Sequence, residues 1–549
     1  MQPIYSSIKL QADTYSLNPL LNPGCTAHLT VLGIRGDGST CEIPSSQVEF
    51  SATTLLTCND EKVASIDKDG TLTPHVGGYV RVDAVYICRG SGLTSSVNIV
   101  VRPFFHEYHK TLTFKLFLAM EPYGSLRHET TPVRDDSVLL DFSETANLLA
   151  DIDRLTYGMP KICYLVGWQR GGHDHLYPAF NEINPKLKRP CDKNAAESLR
   201  WLIREGKKYN TAVSLHINFI DALDDSPLWQ EYADNDLFCR DENGNVRPAL
   251  GFESISDKYG VKSANIIQKK FLDSGFFHKR MKELLDLLPE LRDTHTIHID
   301  NWRADGCPYM GISREDDEEA LRTMFHWFRD QGIDVTSEGS FHGRNEPMTG
   351  LQPMTYWDTP YHPSVMPTNL YCGGRRARRD TDPRFGDTIH VENTVRQNIS
   401  RGYPAAEGIL DEFCLYTLPW QFLNNFRLLS FDGNTAEYSD NVRAYIDNGV
   451  PMIYWEKCCI RNGTSMFVPL FWRDEPCAIM YSFRDSMFDI TFPESWGKVT
   501  SVNIYYMDRL GHREPELINE NYPVNGGTMI IFNDCRRTCL VRPNYNRKI

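Results

Sequence analysis

The stretch "THTIHIDNWRADG" (294–306) ends a short apolar run on Asp300, with Asn301 and Trp302 directly behind it. A second run, "IDVTSEGS" (333–340), ends on Glu338, 38 positions after Asp300. Two carboxyl groups held about 5–5.5 Å apart can hydrolyse a glycosidic bond with retention, because one attacks the anomeric carbon while the other protonates the leaving oxygen. Their environments must then divide the roles. The nucleophile has to stay ionised, whereas the acid keeps its proton through burial and its partner's charge. Either acid alone is ordinary at a strand end; the pair and its spacing point to chemistry.

Two further clusters follow apolar runs. In "GWQRGGHDHLYP" (167–178), glycines permit a sharp turn, and Trp168, His173, Asp174, His175 and Tyr177 give ring-stacking surface beside polar groups for sugar hydroxyls. The run His173-Asp174-His175 is weaker as a metal site, since neighbouring residues on one loop rarely complete a coordination sphere. In "SLHINFIDA" (214–222), His216 and Asn218 share a strand face by the period of two, and are expected to hydrogen-bond substrate or Asp300; a satisfied core histidine is the plainer alternative. With Trp302, the expected substrate-binding set is Trp168, His173, Asp174, His216, Asn218 and Trp302. No metal ligand set and no organic cofactor are expected, and a structural Ca2+ finds no supporting loop spacing.

The elements that position these residues alternate between strand and helix. "KICYLVGW" (161–168), "AVSLHIN" (212–218), "TIHIDNW" (296–302) and "IDVTSEGS" are apolar strands. Between them, 193–210, 263–291 and 314–332 show helical periodicity, the last with acids in its first turn, where they complement the helix dipole. Such alternation gives parallel βα units. Polar residues closing several strands favour a (β/α)8 TIM-type barrel, whose chemistry collects at the carboxyl ends of its strands. No G-x-G-x-x-G or Walker A pattern follows a strand, so a nucleotide-binding sheet loses its main support. Residues 1–103 show period-two runs broken by Gly, Asp and Pro, the mark of a β-sandwich, and 461–549 return to that pattern. The expected organisation is therefore multidomain: a sandwich over 1–103, a catalytic barrel over 104–460 and a C-terminal β-sandwich over 461–549.

Composition narrows the partners. Hydrophobic residues at 41% supply ample core for a globular protein, and no apolar run reaches the ~18 residues that suggest a membrane span. The 58 basic and 72 acidic residues leave a net charge of −14, which argues against nucleic acid as a partner. The one basic cluster, Arg375, Arg376, Arg378 and Arg379, is short and reads as a solvated loop. Fifteen cysteines show no C-x-x-C pair or zinc spacing, so buried thiols in a reducing setting are expected. The start lacks a signal peptide's basic and apolar regions. That points to the cytoplasm for the chain as it stands, or to the cell surface or secretion if a leader has been removed.

Two resemblances add to this reading. "VASIDKDGTLTPHVGGYVRVDAVY" through "SVNIVVRP" resembles bacterial Ig-like domains, which implies a spacer or adhesion module. "DIDRLTYGMPKICYLVGWQRGGHDHLYP", "AVSLHIN", "IHIDNW", "IDVTSEG" and "FCLYTLPWQFLNNF" (413–426), in this order, resemble the endo-α-N-acetylgalactosaminidases of glycoside hydrolase family 101, which act on mucin-type O-glycans. The resemblance implies a barrel like that of α-amylases and hydrolysis with retention. It further implies Asp300 as nucleophile, Glu338 as acid/base, and His173 and Asp174 as sugar-binding residues. Its substrate would be an oligosaccharide or a glycoprotein glycan, with α-GalNAc or α-galactoside linkages the first expectation. Departures are the chain's small size for that family, His175 where a small residue is common, and Ala179–Phe180 in place of an acidic-aromatic pair. They leave exo action and another α-linked sugar open, as in the related family 129. The rival readings are a non-catalytic carbohydrate-binding or adhesion protein on a degenerate barrel, and a metal-dependent hydrolase using His173, Asp174, His175 and His216.

Overall fold

Runs of four to eight residues, joined by helices or long connections, give a parallel sheet at the centre of the chain. The computed structural model describes residues 5–56, 62–88, 91–120, 137–249, 251–338, 351–354 and 391–545. Strands β1 (Leu112–Phe117), β2 (Lys161–Val166), β3 (Thr211–Asn218), β4 (Thr296–Asp300), β5 (Asp334–Glu338) and β6 (Leu351–Met354) lie side by side in that order, and every neighbouring pair is parallel.

One face of this sheet is apolar. Phe114, Leu116, Leu165, Leu215, Ile297, Ile299 and Val335 join the main core with the helices. The alternate residues Lys115, Tyr164, Ser214, His216, Thr296, His298 and Thr336 are also buried, although polar. Buried polar groups require partners: Ser214 Oγ donates to the Thr296 carbonyl at 2.5 Å, Tyr164 Oη meets Thr296 Oγ1 at 2.5 Å, and His298 Nδ1 meets Thr336 Oγ1 at 2.8 Å.

The helices start where their caps say they should. Helix α1 (Phe142–Leu155) opens on a capping box between Asp141 and Glu144, and α2 (Ala195–Gly206) opens on Asn194. The helix expected over 263–291 is instead several elements. Ser263–Asn265 is a strand antiparallel to Asp221–Leu223, and the helical part divides into Gln268–Asp273, α3 (Phe276–Leu287) and Leu291–Thr294. Gly275, at φ +78°, stops one helix and starts the next in a conformation that suits glycine. Helix α4 (Arg314–Asp330) has a Ser313–Asp316 capping box and three acids in its first turn. Helix α5 (Val391–Ser400) returns to the start of the sheet, with the Arg396 guanidinium 5.6 Å from the Phe117 ring.

Strand-rich regions flank this centre. The N-terminal region has a five-stranded and a four-stranded sheet around its own core of Leu10, Leu29, Val31, Val80, Val82 and Ile99. Its exit segment is fastened at both ends. Asn18 Nδ2 donates to the Phe104 carbonyl at 2.8 Å, and the Phe105 N–H, His106 N–H and Tyr108 O–H donate to Asp334 Oδ2 at 2.7, 3.2 and 3.1 Å. Tyr108 Oη also meets Thr296 Oγ1 at 2.8 Å. The segment is thereby docked at the amino ends of β4 and β5.

The C-terminal region is a ten-stranded antiparallel sheet that begins at Leu428, earlier than the boundary expected at 461. The missed signal is a hairpin dipeptide. Asn448 and Gly449, both at positive φ, join paired Asp447 and Val450, as two-residue hairpin turns require. The described cysteines are all free thiols, and no described helix is long and apolar enough to cross a membrane. The Arg375–Arg379 cluster lies outside the described residues.

Candidate active site

Parallel register brings the strand-end residues together. Between β3 and β4, His216 is level with His298 and Asn218 with Asp300. Between β4 and β5, Thr296, Ile297 and His298 are level with Asp334, Val335 and Thr336. The same offset sets Glu338 level with Asp300, and each is the last residue of its strand. Neighbouring strands lie about 4.8 Å apart. The Glu338 side chain lies outside the described residues.

Asp300 is surrounded by groups that favour its charge. Asn218 Nδ2 donates to Asp300 Oδ2 at 3.4 Å, and His216 Nε2 lies 3.6 Å from the same oxygen. Burial acts to raise its pKa, but the His216 imidazole, the Lys115 ammonium on β1 and His173 outweigh it and hold the carboxyl well below its ordinary value. An ionised carboxylate at a strand end is what a nucleophile needs. Beside it, His298 stacks on His216 with centroids 5.2 Å apart, and burial, helped by Lys115 and His216, holds its pKa well below the usual imidazole value.

Asn218 also ties in a second carboxyl group. Its Oδ1 accepts from the N–H groups of Ile220 and Asp221 at 2.8 and 2.9 Å, and its Nδ2 donates to Asp221 Oδ2 at 2.8 Å. Burial, and then the charge of Asp300, push Asp221 up to about 7 against the pull of that hydrogen bond. The folded state therefore holds a proton that the unfolded chain releases near pH 4. This stabilisation is complete below the unfolded pKa and is lost as pH rises through 7. Relative to Asp221→Asn, the wild type is expected to lose roughly 2–4 kcal/mol between pH 4 and 8, as measured by denaturant midpoints across that range.

The 167–180 loop is fixed by its backbone. Gly167 has φ +74°, and a Cβ there would lie 2.1 Å from the Ala119 carbonyl oxygen. The His173 N–H donates to that same carbonyl at 3.0 Å. His173 Nε2 is 3.3 Å from Asp174 Oδ2, its Nδ1 is 3.2 Å from Tyr177 Oη, and the Asp174 N–H donates to Tyr177 Oη at 3.1 Å. The rings of His173 and His216 meet edge to face at 5.7 Å, which brings the loop to the β3 residues. His175 turns elsewhere, to the Gly171 carbonyl at 2.9 Å and Asp225 at 3.5 Å. The three loop residues therefore do not converge as a metal tripod.

Residues 140–348 match the model of the family described as endo-alpha-N-acetylgalactosaminidase, glycoside hydrolase family 101. The chain is a glycoside hydrolase whose residues 140–348 are similar to that family. The matched span of the glycosidase holds β2–β5, the 167–180 loop, Asp300 and Glu338. Among solved structures, it is similar to α-N-acetylgalactosaminidase NagBb from Bifidobacterium bifidum in its GalNAc complex, at 10% identity over 82% of this chain and 92% of that one, with a TM-score of 0.45. It is also similar to the type I pullulanase of Bacillus subtilis in complex with maltose, at 8% identity over 94% and 90% of the two chains, with a TM-score of 0.36. No curated protein matches the chain.

Two expected sugar-binding residues of the glycosidase are structural supports instead. Trp168 is fully buried, and its Nε1–H donates to the His216 carbonyl at 2.9 Å. Trp302 is buried against Phe219 and Phe325, and its Nε1–H donates to Gln268 Oε1 at 2.8 Å. Gln268 in turn donates to the Phe219 carbonyl at 2.9 Å, so Trp302 braces the end of β3 from behind. Neither ring offers a face to a sugar. His173, Asp174, His216 and Asn218 do gather around Asp300. Lys115, Asp221, Tyr177 and His298 join them without having been expected in the set. The available signal was the polar residue recurring every second position within an apolar run, as in Thr113–Lys115 and His298–Asp300.

For the glycosidase, Gly167→Ala is expected to cost roughly 2–4 kcal/mol, from the positive φ and the collision with Ala119. The loop displacement should also raise KM, which denaturant midpoints and steady-state kinetics on one preparation will check.

Proposed function

We propose that the glycosidase hydrolyses α-linked N-acetylgalactosamine or galactose in O-glycan-type substrates with retention of configuration. The observation that carries this reading is the charge-stabilised Asp300 at the carboxyl end of β4, level in register with Glu338. In the first step an Asp300 oxygen attacks the anomeric carbon from the face opposite the leaving group, while the Glu338 carboxyl protonates the departing glycosidic oxygen. In the second step Glu338, now ionised, takes a proton from water, which attacks the glycosyl–Asp300 ester and frees both sugar and carboxylate. His173, Asp174, His216 and Asn218 supply the hydrogen bonds that orient the sugar ring.

The architecture that suits this chemistry is a (β/α)8 barrel. Six parallel strands in chain order, helices on one face, a buried polar second face and a helix returning to β1 support closure of the sheet. The Ig-like sandwich then acts as a spacer or adhesion module, and the ten-stranded sheet as a C-terminal support. The deciding experiment is proton NMR of an aryl α-N-acetylgalactosaminide during turnover. The α-anomer of the free sugar is expected to appear first. A β-anomer as first product would overturn retention, and turnover of only the aryl α-galactoside would move the substrate.

A further inference from the structure

Three donors converge beneath the sugar site. One ligand atom each from His216, His298 and Asp300 lies within 4.8 Å of the other two. They come from adjacent strands, His216 level with His298 and Asp300 two residues further along β4. Both imidazoles are buried, and neither His216 Nε2 nor His298 Nε2 has a hydrogen-bond partner. His298 Nδ1 is held by Thr336 Oγ1 at 2.8 Å, which leaves Nε2 as its coordinating atom. A hydrogen bond at the second ring nitrogen is how metal-ligating histidines are oriented.

The spacing suits a small cation. Zn–N and Zn–O bonds of about 2.0–2.2 Å place neighbouring tetrahedral ligands roughly 3.3–3.6 Å apart. His216 Nε2 and Asp300 Oδ2 are already 3.6 Å apart, and all three ligand atoms lie within 4.8 Å of one another. Two imidazoles and one carboxylate match a borderline transition metal rather than Ca2+ or Mg2+, which take oxygen ligands.

We propose that His216, His298 and Asp300 bind a divalent transition-metal ion of the Zn2+ class, and that the bound ion shuts off glycoside cleavage by occupying the Asp300 carboxylate. A lone pair committed to the metal cannot attack the anomeric carbon. This second half rests on Asp300 being the nucleophile; the binding half does not. The Lys115 ammonium acts on His298 and Asp300 from β1 and opposes a cation, so the ion is expected to leave on chelation rather than persist as a structural metal.

The test is calorimetric titration of the full chain with Zn2+ after dialysis against chelator, with Co2+ absorption as an independent report on the ligands. One equivalent is expected to bind. His216→Gln and His298→Gln should weaken binding at least tenfold and alter the cobalt bands, and Thr336→Val should weaken it roughly 10-fold or more through the lost hydrogen bond to His298 Nδ1. Circular dichroism identifies variants that remain folded. Zn2+ affinity unchanged in both folded histidine variants would overturn the site. Should His298→Gln fail to fold, unchanged affinity in Thr336→Val together with His216→Gln overturns it equally. In a wild type that hydrolyses an aryl α-glycoside, saturating Zn2+ should abolish turnover and chelator should restore it. Full activity at saturating Zn2+ would overturn the switch while leaving the binding result standing. A chain that binds Zn2+ and hydrolyses no glycoside would instead count against the proposed reaction alone.

Discussion

Replacing Asp300 by Asn is expected to lower turnover of an aryl α-N-acetylgalactosaminide by roughly 10^4-fold, the scale on which removing one member of a catalytic set acts. The amide has nearly the same shape, so the hydrogen bond with Asn218 and the packing of β4 persist after a flip. What is lost is the negative charge that His216, Lys115 and His173 stabilise, and with it the attack on the anomeric carbon. Stopped-flow measurement should show an initial burst of phenol in the wild type where the second step is slow, and none in the variant. Asp305 lies beyond the strand and pairs with Arg303 at 3.0 Å, so Asp305→Asn is the control that removes a nearby charge without touching the reaction. An Asp300→Asn protein with wild-type turnover would refute the assignment.

The second large effect concerns Glu338. Glu338→Ala removes the proton donor and later the base, so kcat for a poor leaving group is expected to fall about 10^2–10^4-fold. A dinitrophenyl glycoside, whose leaving group needs no proton, should keep most of its first step and accumulate the glycosyl–Asp300 ester. Added azide should then speed turnover and yield the α-glycosyl azide, because it attacks that ester on the face where water otherwise would. A β-azide would mean that the two carboxylates have exchanged roles. An α-azide product from Glu338→Ala is a signature that loss of folding cannot mimic.

Much of this arrangement was legible in the chain because it follows from local periodicity. The alternation Ile297, Ile299 against His298, Asp300 separates the helix-facing side of β4 from the buried polar side, and the structure keeps that separation. The offset between Asp300 and Glu338 follows from the length of one strand–helix unit, and register preserves it. What the chain did not disclose depends on contacts between distant segments. Trp168 and Trp302 have the residue type of sugar platforms, but whether an indole faces solvent is decided elsewhere. The His216 carbonyl and Gln268 claim their N–H groups, and core residues cover their faces. Asp221 carries no sequence signal of its own, and only the fold of Asn218 over it makes it part of the same network. The long helix over 263–291 failed for a local reason, since apolar periodicity runs straight across a glycine whose positive φ ends the helix. The early start of the C-terminal sheet is likewise written locally, in the Asn448–Gly449 turn.

The exit segment of the N-terminal sandwich has a mechanical consequence. Phe105, His106 and Tyr108 grip Asp334 at the amino end of β5, and Tyr108 also grips Thr296 on β4, whereas Asp300 and Glu338 close the opposite ends of the same strands. Any tension drawn through the sandwich therefore enters the sheet at its far edge and is shared by several hydrogen bonds before it reaches Asp300. The docking point of the N-terminal region and the candidate site thus lie at opposite ends of the same two strands.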